Sequence, residues 1–325
     1  MNRMLSTARA LLLVALAGIG TGVIAQAYPN RPVRLVLGFA PGGAADYVSR
    51  VISEPLSRAL GQPIVVDNKP GAGSTIAADF VAKSPPDGYT ILIASPSAIS
   101  VNPALNPKLN YKPSDLAPVT KVSASPQVVA VHPGTGVTSI QELIALAKKD
   151  PGKLNYATSG NGSAPHMATI LFNRLAGTDM VHVPYKSGGL AVQSVLAGDT
   201  QVTFATPPSV LPMVKAGRLR AIAVTSRARS PLVPDLPGME ESGVPNYDMS
   251  LWYGFFVPAG TPPEIIRKIF DATIAVLREP AVVQAFGREG TETAASRSPE
   301  DFAAFLAEDA KVMVQLVKES GAKID

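Results

Sequence analysis

The chain has 325 residues, 46% of them hydrophobic, and no cysteine, which excludes disulfides, thiolate nucleophiles and sulfur-ligated metal sites. Its 29 basic against 25 acidic residues leave a formal charge of +4, with no Lys/Arg-rich run or basic-aromatic interleaving of the kind that binds nucleic acid. The length suffices for two lobes of ordinary domain size, each with its own core.

Arg3 and Arg9 precede an apolar run from Ala10 to Ala25, broken only by small residues and Thr21, and Ala25-Gln-Ala27 closes it. This reads as a secretory signal peptide, residues 1–27, cut after Ala27. The run is shorter than the ~20 residues that a spanning helix needs, and no cysteine follows it to carry a lipid. The remainder from Tyr28 loses two arginines, so its charge is 27 − 25 = +2, and it is expected to be soluble and exported.

Val33 to Phe39 is a short apolar strand, followed by a Gly/Pro loop and by apolar residues at helical spacing from Tyr47 to Leu60. Gly61-Gln-Pro63 ends that helix, Ile64 to Val66 is a second strand, and a glycine-rich turn leads to a helix ending at Ala82. Pro85-Pro-Asp-Gly88 is turn chemistry, and Tyr89 to Ala94 is a third strand opening onto Ser95-Pro-Ser97. Strands alternating with helices imply a mainly parallel sheet. Leu116 to Val131 is extended without helix caps and fits a crossing to a second lobe.

There the pattern restarts. Ser139 and Glu142 have capping-box spacing and open a helix to Lys149. Leu154 to Thr158 is a strand, Pro165 to Ala176 a helix, and Val181–Pro184, Val202–Ala205 and Leu219–Val224 are further strands, with helical connections at Ala191–Leu196 and Val210–Ala216. Pro231 to Pro245 reads as an irregular surface excursion. Leu251 to Val257 is the return crossing, and its Trp252, Tyr253, Phe255 and Phe256 read as a buried hinge strand rather than a stacking platform. Helices from Pro262 to Leu277, Pro280 to Arg288 and Pro299 to Ser320 then pack back on the first lobe. The last carries an apolar stripe of Phe302, Phe305, Leu306, Val312, Leu316 and Val317. The result is an α/β flytrap with two extended hinge crossings, residues 28–123 plus 253–325 forming one lobe and 124–252 the other, with a ligand expected outside the carboxyl ends of the strands.

Two similar loops carry the functional signal. Phe39-Ala-Pro-Gly-Gly-Ala-Ala-Asp46 and Ser159-Gly-Asn-Gly-Ser-Ala-Pro-His166 each lie between an apolar strand and a helix. Unpaired N–H groups of the first helical turn, with the helix dipole, favour an anion there. Either loop alone is also ordinary turn chemistry; two in equivalent places of two lobes point to a shared ligand. Asp46 reads as scaffolding or as a favourable charge in a first helical turn. His166 fits a carboxylate donor or a structural histidine, while His132 and His182 read as strand-associated. Three isolated histidines without an H-x-x-x-H or H-E-x-x-H string predict no metal. Gly160-x-Gly162-x-x-Pro165 nears a dinucleotide fingerprint, but proline replaces the third glycine, so no nicotinamide cofactor is expected; Walker A and G-x-S-x-G strings are absent.

The chain resembles the Bug-type, TctC-like extracytoplasmic solute-binding receptors of tripartite tricarboxylate transporters. The resemblance runs through Tyr28-Pro-Asn-Arg-Pro32, Phe39-Ala-Pro-Gly-Gly43 with Asp46, Val65-Val-Asp-Asn-Lys-Pro-Gly-Ala-Gly73, Pro86-Asp-Gly-Tyr89, and Tyr156-Ala-Thr-Ser-Gly160 with Gly162, Ser163 and His166. It continues through His182-Val-Pro-Tyr-Lys186, Lys215-Ala-Gly-Arg-Leu-Arg-Ala221, Ala223-Val-Thr-Ser226 and Pro258-Ala-Gly-Thr-Pro262. It implies a periplasmic binding protein of the Venus flytrap (type II) fold, which passes a small organic acid to a membrane permease; a monomer without a cofactor is expected. It also implies that backbone amides and ordered waters hold the ligand carboxylate at two jaws: Ala40, Pro41, Gly42, Gly43, Ala44, Ala45 and Asp46 in the first, and Ser159, Gly160, Asn161, Gly162, Ser163 and His166 in the second. Selectivity would then fall to Ser95, Ser97, Tyr185, Lys186, Thr206 and Pro207. The sequence departs from the family at Lys186-Ser-Gly-Gly-Leu-Ala191, where Lys-Gly-x-Gly-Pro-Ala is frequent, and at Ala205, where a polar residue, often Asp, stands. The ligand therefore need not be an amino-dicarboxylate or a tricarboxylate. Two other readings remain open: a secreted α/β enzyme acting on a carboxylated substrate, which would need a nucleophile or acid/base pair that the sequence does not display, and a receptor reporting to a sensor kinase.

Overall fold

A computed structural model describes residues 28–320; the leader and its cut after Ala27 lie outside the described residues. The first sheet is built from β1 (Val33–Leu37), α1 (Ala44–Leu60), β2 (Ile64–Asn68), α2 (Thr75–Ala82) and β3 (Thr90–Ala94). A helical turn at Ser97–Val101 and α3 (Asn102–Leu105) follow, and then β4 (Leu116–Pro126) runs through Gln127 into β5 (Val128–Val131) of the second sheet. That sheet continues with α4 (Ile140–Lys149), β6 (Asn155–Thr158), α5 (Ala164–Ala176), β7 (Val181–Pro184), α6 (Gly188–Ala197), β8 (Val202–Ala205), α7 (Pro207–Lys215) and β9 (Arg220–Val224). An irregular stretch leads to β10 (Ser250–Pro258), which returns to the first sheet, followed by α8 (Pro263–Leu277), α9 (Pro280–Arg288), β11 (Glu292–Thr293) and α10 (Pro299–Ser320).

The strand orders are β2-β1-β3-β10-β4-β11 and β7-β6-β8-β5-β9. Both sheets are mixed, which corrects the expectation of mainly parallel pairing. β1 pairs parallel with β2 and β3, and β6 with β7 and β8, but β10 is antiparallel to both β3 and β4, and β5 to both β8 and β9. The reason is connectivity. A strand entering a lobe from its neighbour arrives opposite in direction to strands that start each βα unit. The two crossings lie side by side, Ser250 pairing with Pro126 and Trp252 with Ala124, which gives the molecule a two-stranded hinge.

Side-chain alternation builds two layers on each sheet. On β10, Leu251, Tyr253, Phe255 and Val257 join Val33, Leu35 and Leu37 beneath α1, where they meet Val48, Ile52 and Leu56. Trp252 and Phe256 point the other way, towards Ala77, Val81 and Phe302. In the second lobe, Val129 and Val131 face α4 and α5, while Val128 and Ala130 face α6 and α7.

The C-terminal helix departs from expectation. Phe302 packs on the first lobe, but Met313, Leu316 and Val317 are buried with Leu171 and Phe172 in the core of the second. Val312, expected in the apolar stripe, is 62% exposed, and Met313 takes the inward position. α6 and α7 also begin three residues earlier than their apolar spacing suggested. The Ser187 hydroxyl accepts from the Leu190 amide at 3.2 Å, and Pro207-Pro208 suits the first turn, where no N–H is needed. The Ser139 hydroxyl likewise caps the Glu142 amide, and the Glu142 carboxylate turns back to accept from the Thr138 amide and hydroxyl.

Candidate ligand-binding site

Both glycine loops close in the same way. Gly42 (φ +90°) and Gly162 (φ +66°) take left-handed backbone conformations, which bend the strand end into the helix. In each loop the amide of that glycine donates to the side chain four residues on, Gly42 to Asp46 Oδ2 at 3.2 Å and Gly162 to His166 Nδ1 at 3.1 Å. A carboxylate in one jaw and an imidazole in the other serve one purpose.

Asp46 also accepts from Arg50 Nε at 2.9 Å and from Asn68 Nδ2 at 3.2 Å. Burial pushes its carboxyl up, but hydrogen bonds from Arg50, the Gly42 amide and Asn68 outweigh burial and hold it below the usual range. His166 stacks on His182 with ring centroids 3.9 Å apart, and His182 on Tyr156 at 5.1 Å. Burial, with a smaller push from His182, lowers His166 to about 3, and burial lowers His182 to about 4. Both rings are neutral near pH 7. His182 Nε2 lies 2.6 Å from Thr158 Oγ1, so the stack ends at a cavity-lining residue.

The cavity lies between the lobes and is narrow, with about 20 Å³ of free volume, room for about one water. The first lobe contributes Phe39, Gly43, Ala44, Ala45, Ser95 and Ser97, together with Leu251 and Tyr253 of the hinge strand. The second contributes Thr158, Ser159, Ala164, Pro165, Gly188, Ala191, Thr203, Ala205 and Thr206. None of these lining residues is charged. Instead the N-terminal ends of α1, α5, α6 and α7 meet here. Gly43, Ser163 and Thr206, at the starts of α1, α5 and α7, make no side-chain cap, which leaves first-turn amides to a ligand. The Ser97 hydroxyl is buried without a hydrogen-bond partner, and burial raises the Tyr253 phenol, keeping it protonated.

The expected site residues divide into groups. Gly43, Ala44, Ala45, Ser95, Ser97, Ser159 and Thr206 line the cavity. Gly160, Asn161, Tyr185 and Lys186 line an adjoining inter-lobe groove, which shares Phe39 and Ser159 with the cavity; the Tyr185 hydroxyl is engaged within its lobe by Ser194 at 2.5 Å. Ala40 bridges the lobes, its amide donating to Lys186 O at 3.3 Å. Pro41 and Gly42 are exposed on the loop, Gly162 and Ser163 are buried within theirs, and Asp46 and His166 are turned into loop scaffolding. Pro207 abuts Gly290 instead of the cavity. Sequence reading did not single out Thr158, Gly188, Thr203, Leu251 or Tyr253 as lining residues. The usable signal was period two at strand ends: Thr203 with Ala205, and Leu251 with Tyr253.

Among the described residues no helix is long and apolar enough to cross a membrane. Residues 48–322 match the tripartite tricarboxylate transporter family receptor. The chain is 38% identical to Protein BugT of Bordetella pertussis over 315 residues, 96% of either chain. Among solved structures it resembles R. palustris Rpa4515 with adipate (33% identity, TM-score 0.88, covering 91% of this chain and 100% of that one). It also resembles MatC from Rhodopseudomonas palustris with bound malate (30% identity, TM-score 0.84, covering 89% and 100%). This chain therefore belongs to the tripartite tricarboxylate transporter family of receptors, the TctC-like or Bug-type solute-binding proteins.

Proposed function

We propose that the protein is a periplasmic, monomeric receptor, released from its leader after Ala27, that closes on a small dicarboxylate without an amino group and delivers it to the permease of a tripartite transporter. The observation that carries this reading is the cavity: helix N-termini from both lobes converge on it, and neither cation nor carboxylate lines it. Backbone amides and hydroxyls suit an anion, while an ammonium group finds no counter-charge. Relatives solved with adipate and with malate support the dicarboxylate class. Closure pivots near residues 124 and 252 and is favoured by a ligand that touches both lobes. The bound acid leaves unchanged.

Calorimetry on protein refolded to remove carried-over ligand, titrated with adipate, malate and acetate, tests binding; NMR of the recovered acid tests turnover. Saturable binding of a dicarboxylate, with the acid recovered intact and its uptake lost on gene deletion, is the expected result. Conversion of the acid would make the protein an enzyme, and intact uptake would remove the transporter role.

A further inference from the structure

Two glycine-lined seams flank the cavity and join the lobes backbone to backbone. On one side, a Cβ built on Gly189 would lie 2.8 Å from the carbonyl oxygen of Gly42, and one on Gly43 would lie 3.5 Å from the amide nitrogen of Gly188. On the other, a Cβ on Gly73 would overlap the Asn161 carbonyl and the Asn102 side chain, and one on Gly162 would overlap Asn102 as well. Asn102 is buried, and its Nδ2 donates to Gly73 O at 2.9 Å. The Ala40 to Lys186 hydrogen bond, 3.3 Å, is a further direct link across the cleft.

We infer that the seam between Gly42 and Gly189 is the stop that sets how far the lobes close, making Gly189 a positioning residue for ligand affinity although it lies outside the cavity. Gly189 sits in the first turn of α6 and Gly42 just before α1. With no side chain between them, the two helix N-termini approach closely enough to share one small anion. A methyl group at 189 would hold the lobes apart by roughly half an ångström or more, because packed interiors do not absorb such overlap. The jaw donors would then sit beyond good hydrogen-bond distance from a ligand held by the opposite lobe. The three atoms nearest a Cβ at 189 all belong to Gly42 of the opposite lobe, and alanine is the better helix former, so Gly189→Ala leaves each lobe intact. The effect on affinity rests on the receptor reading; the seam itself does not.

Because the chain has no cysteine, an Ala40→Cys/Lys186→Cys pair reports closure as a disulfide. Its oxidation rate is measured alone, with Gly189→Ala, and with Gly287→Ala, a helical glycine whose added Cβ meets nothing within 4 Å. Gly189→Ala is expected to slow oxidation at least tenfold with an unchanged or raised melting temperature, and Gly287→Ala to leave the rate unchanged. In the cysteine-free background, Gly189→Ala is expected to weaken tenfold or more whichever of adipate and malate the wild type binds. Equal oxidation rates with and without Gly189→Ala would overturn the stop, as would a wild-type pair that does not oxidise or slowing that accompanies a lowered melting temperature. A wild type that binds neither acid, yet shows the oxidation difference, would remove the dicarboxylate reading and keep the seam.

Discussion

Asp46 and His166 show how two chemically different residues come to hold equivalent loops, and the difference matters for pH. A buried carboxylate with three donors stays charged, whereas His166, stacked on His182, stays neutral in the folded protein down to about 3. An unfolded histidine takes up its proton near 6.5. Below that pH the unfolded chain binds more protons, so stability falls as pH drops from 6.5 towards 3, by about 1 kcal/mol per pH unit for His166. His166→Gln keeps an acceptor for the Gly162 amide but cannot titrate. Urea unfolding between pH 7 and 4.5 should therefore show a slope shallower by that amount in the variant, and parallel slopes would argue against a buried neutral ring. Lys186 acts at longer range as the one cation among the lining residues of the outer groove. Its exposed charge is expected to raise the on-rate of an anionic ligand without touching the off-rate. Lys186→Gln should slow association several-fold at low salt in stopped-flow measurements, with the difference fading near 0.5 M salt.

At the scale of elements, the hinge comprises more than its two strands. β4 and β10 carry the chain between lobes, but α10 spans them as well, seating Phe302 in one core and Met313, Leu316 and Val317 in the other. Trp252 Nε1 donates to Asp309 Oδ1 at 3.1 Å, tying the helix to the return strand at the crossing. α10 therefore acts as a third strut on the hinge side of the molecule, and lobe rotation must be compatible with its two seats. Met313→Ala removes a buried side chain from the second core and should cost about 2–5 kcal/mol, whereas Val312→Ala, one residue earlier on the exposed face, should stay within about 0.5 kcal/mol. Equilibrium unfolding of the two variants checks this; equal losses would mean that α10 does not seat on the second lobe as described.

At the scale of the whole molecule, what was legible in the sequence was what is local. Short apolar runs at Val33 to Phe39 and Leu251 to Val257, glycine and proline punctuation, and the repeat of strand, loop and helix pointed to two α/β lobes joined by two crossings. What was not legible depends on packing between distant segments: the close approach of Gly189 to Gly42 and the seat of Met313 in the second core. Charge is the property that only the assembled lobes reveal, since each supplies hydroxyls, small apolar side chains and helix ends, and together they enclose a lining with no ionised side chain. A carboxylate can exchange water for amides and hydroxyls there, but an ammonium group would lose its hydration without a counter-ion, a penalty of several kcal/mol for a buried charge. Malate and aspartate differ at that point alone, a hydroxyl against an ammonium on the same four-carbon skeleton. The dissociation constant for aspartate should exceed that for malate by at least about a hundredfold, or ~2.7 kcal/mol. Ala205→Asp, which places a carboxylate on the cavity wall, should narrow the gap by weakening malate and giving the ammonium a partner. Equal affinities for the two acids in the wild type would mean that hydroxyl and carbonyl oxygens suffice for an amine, and the receptor would then have to be regarded as open to amino acids.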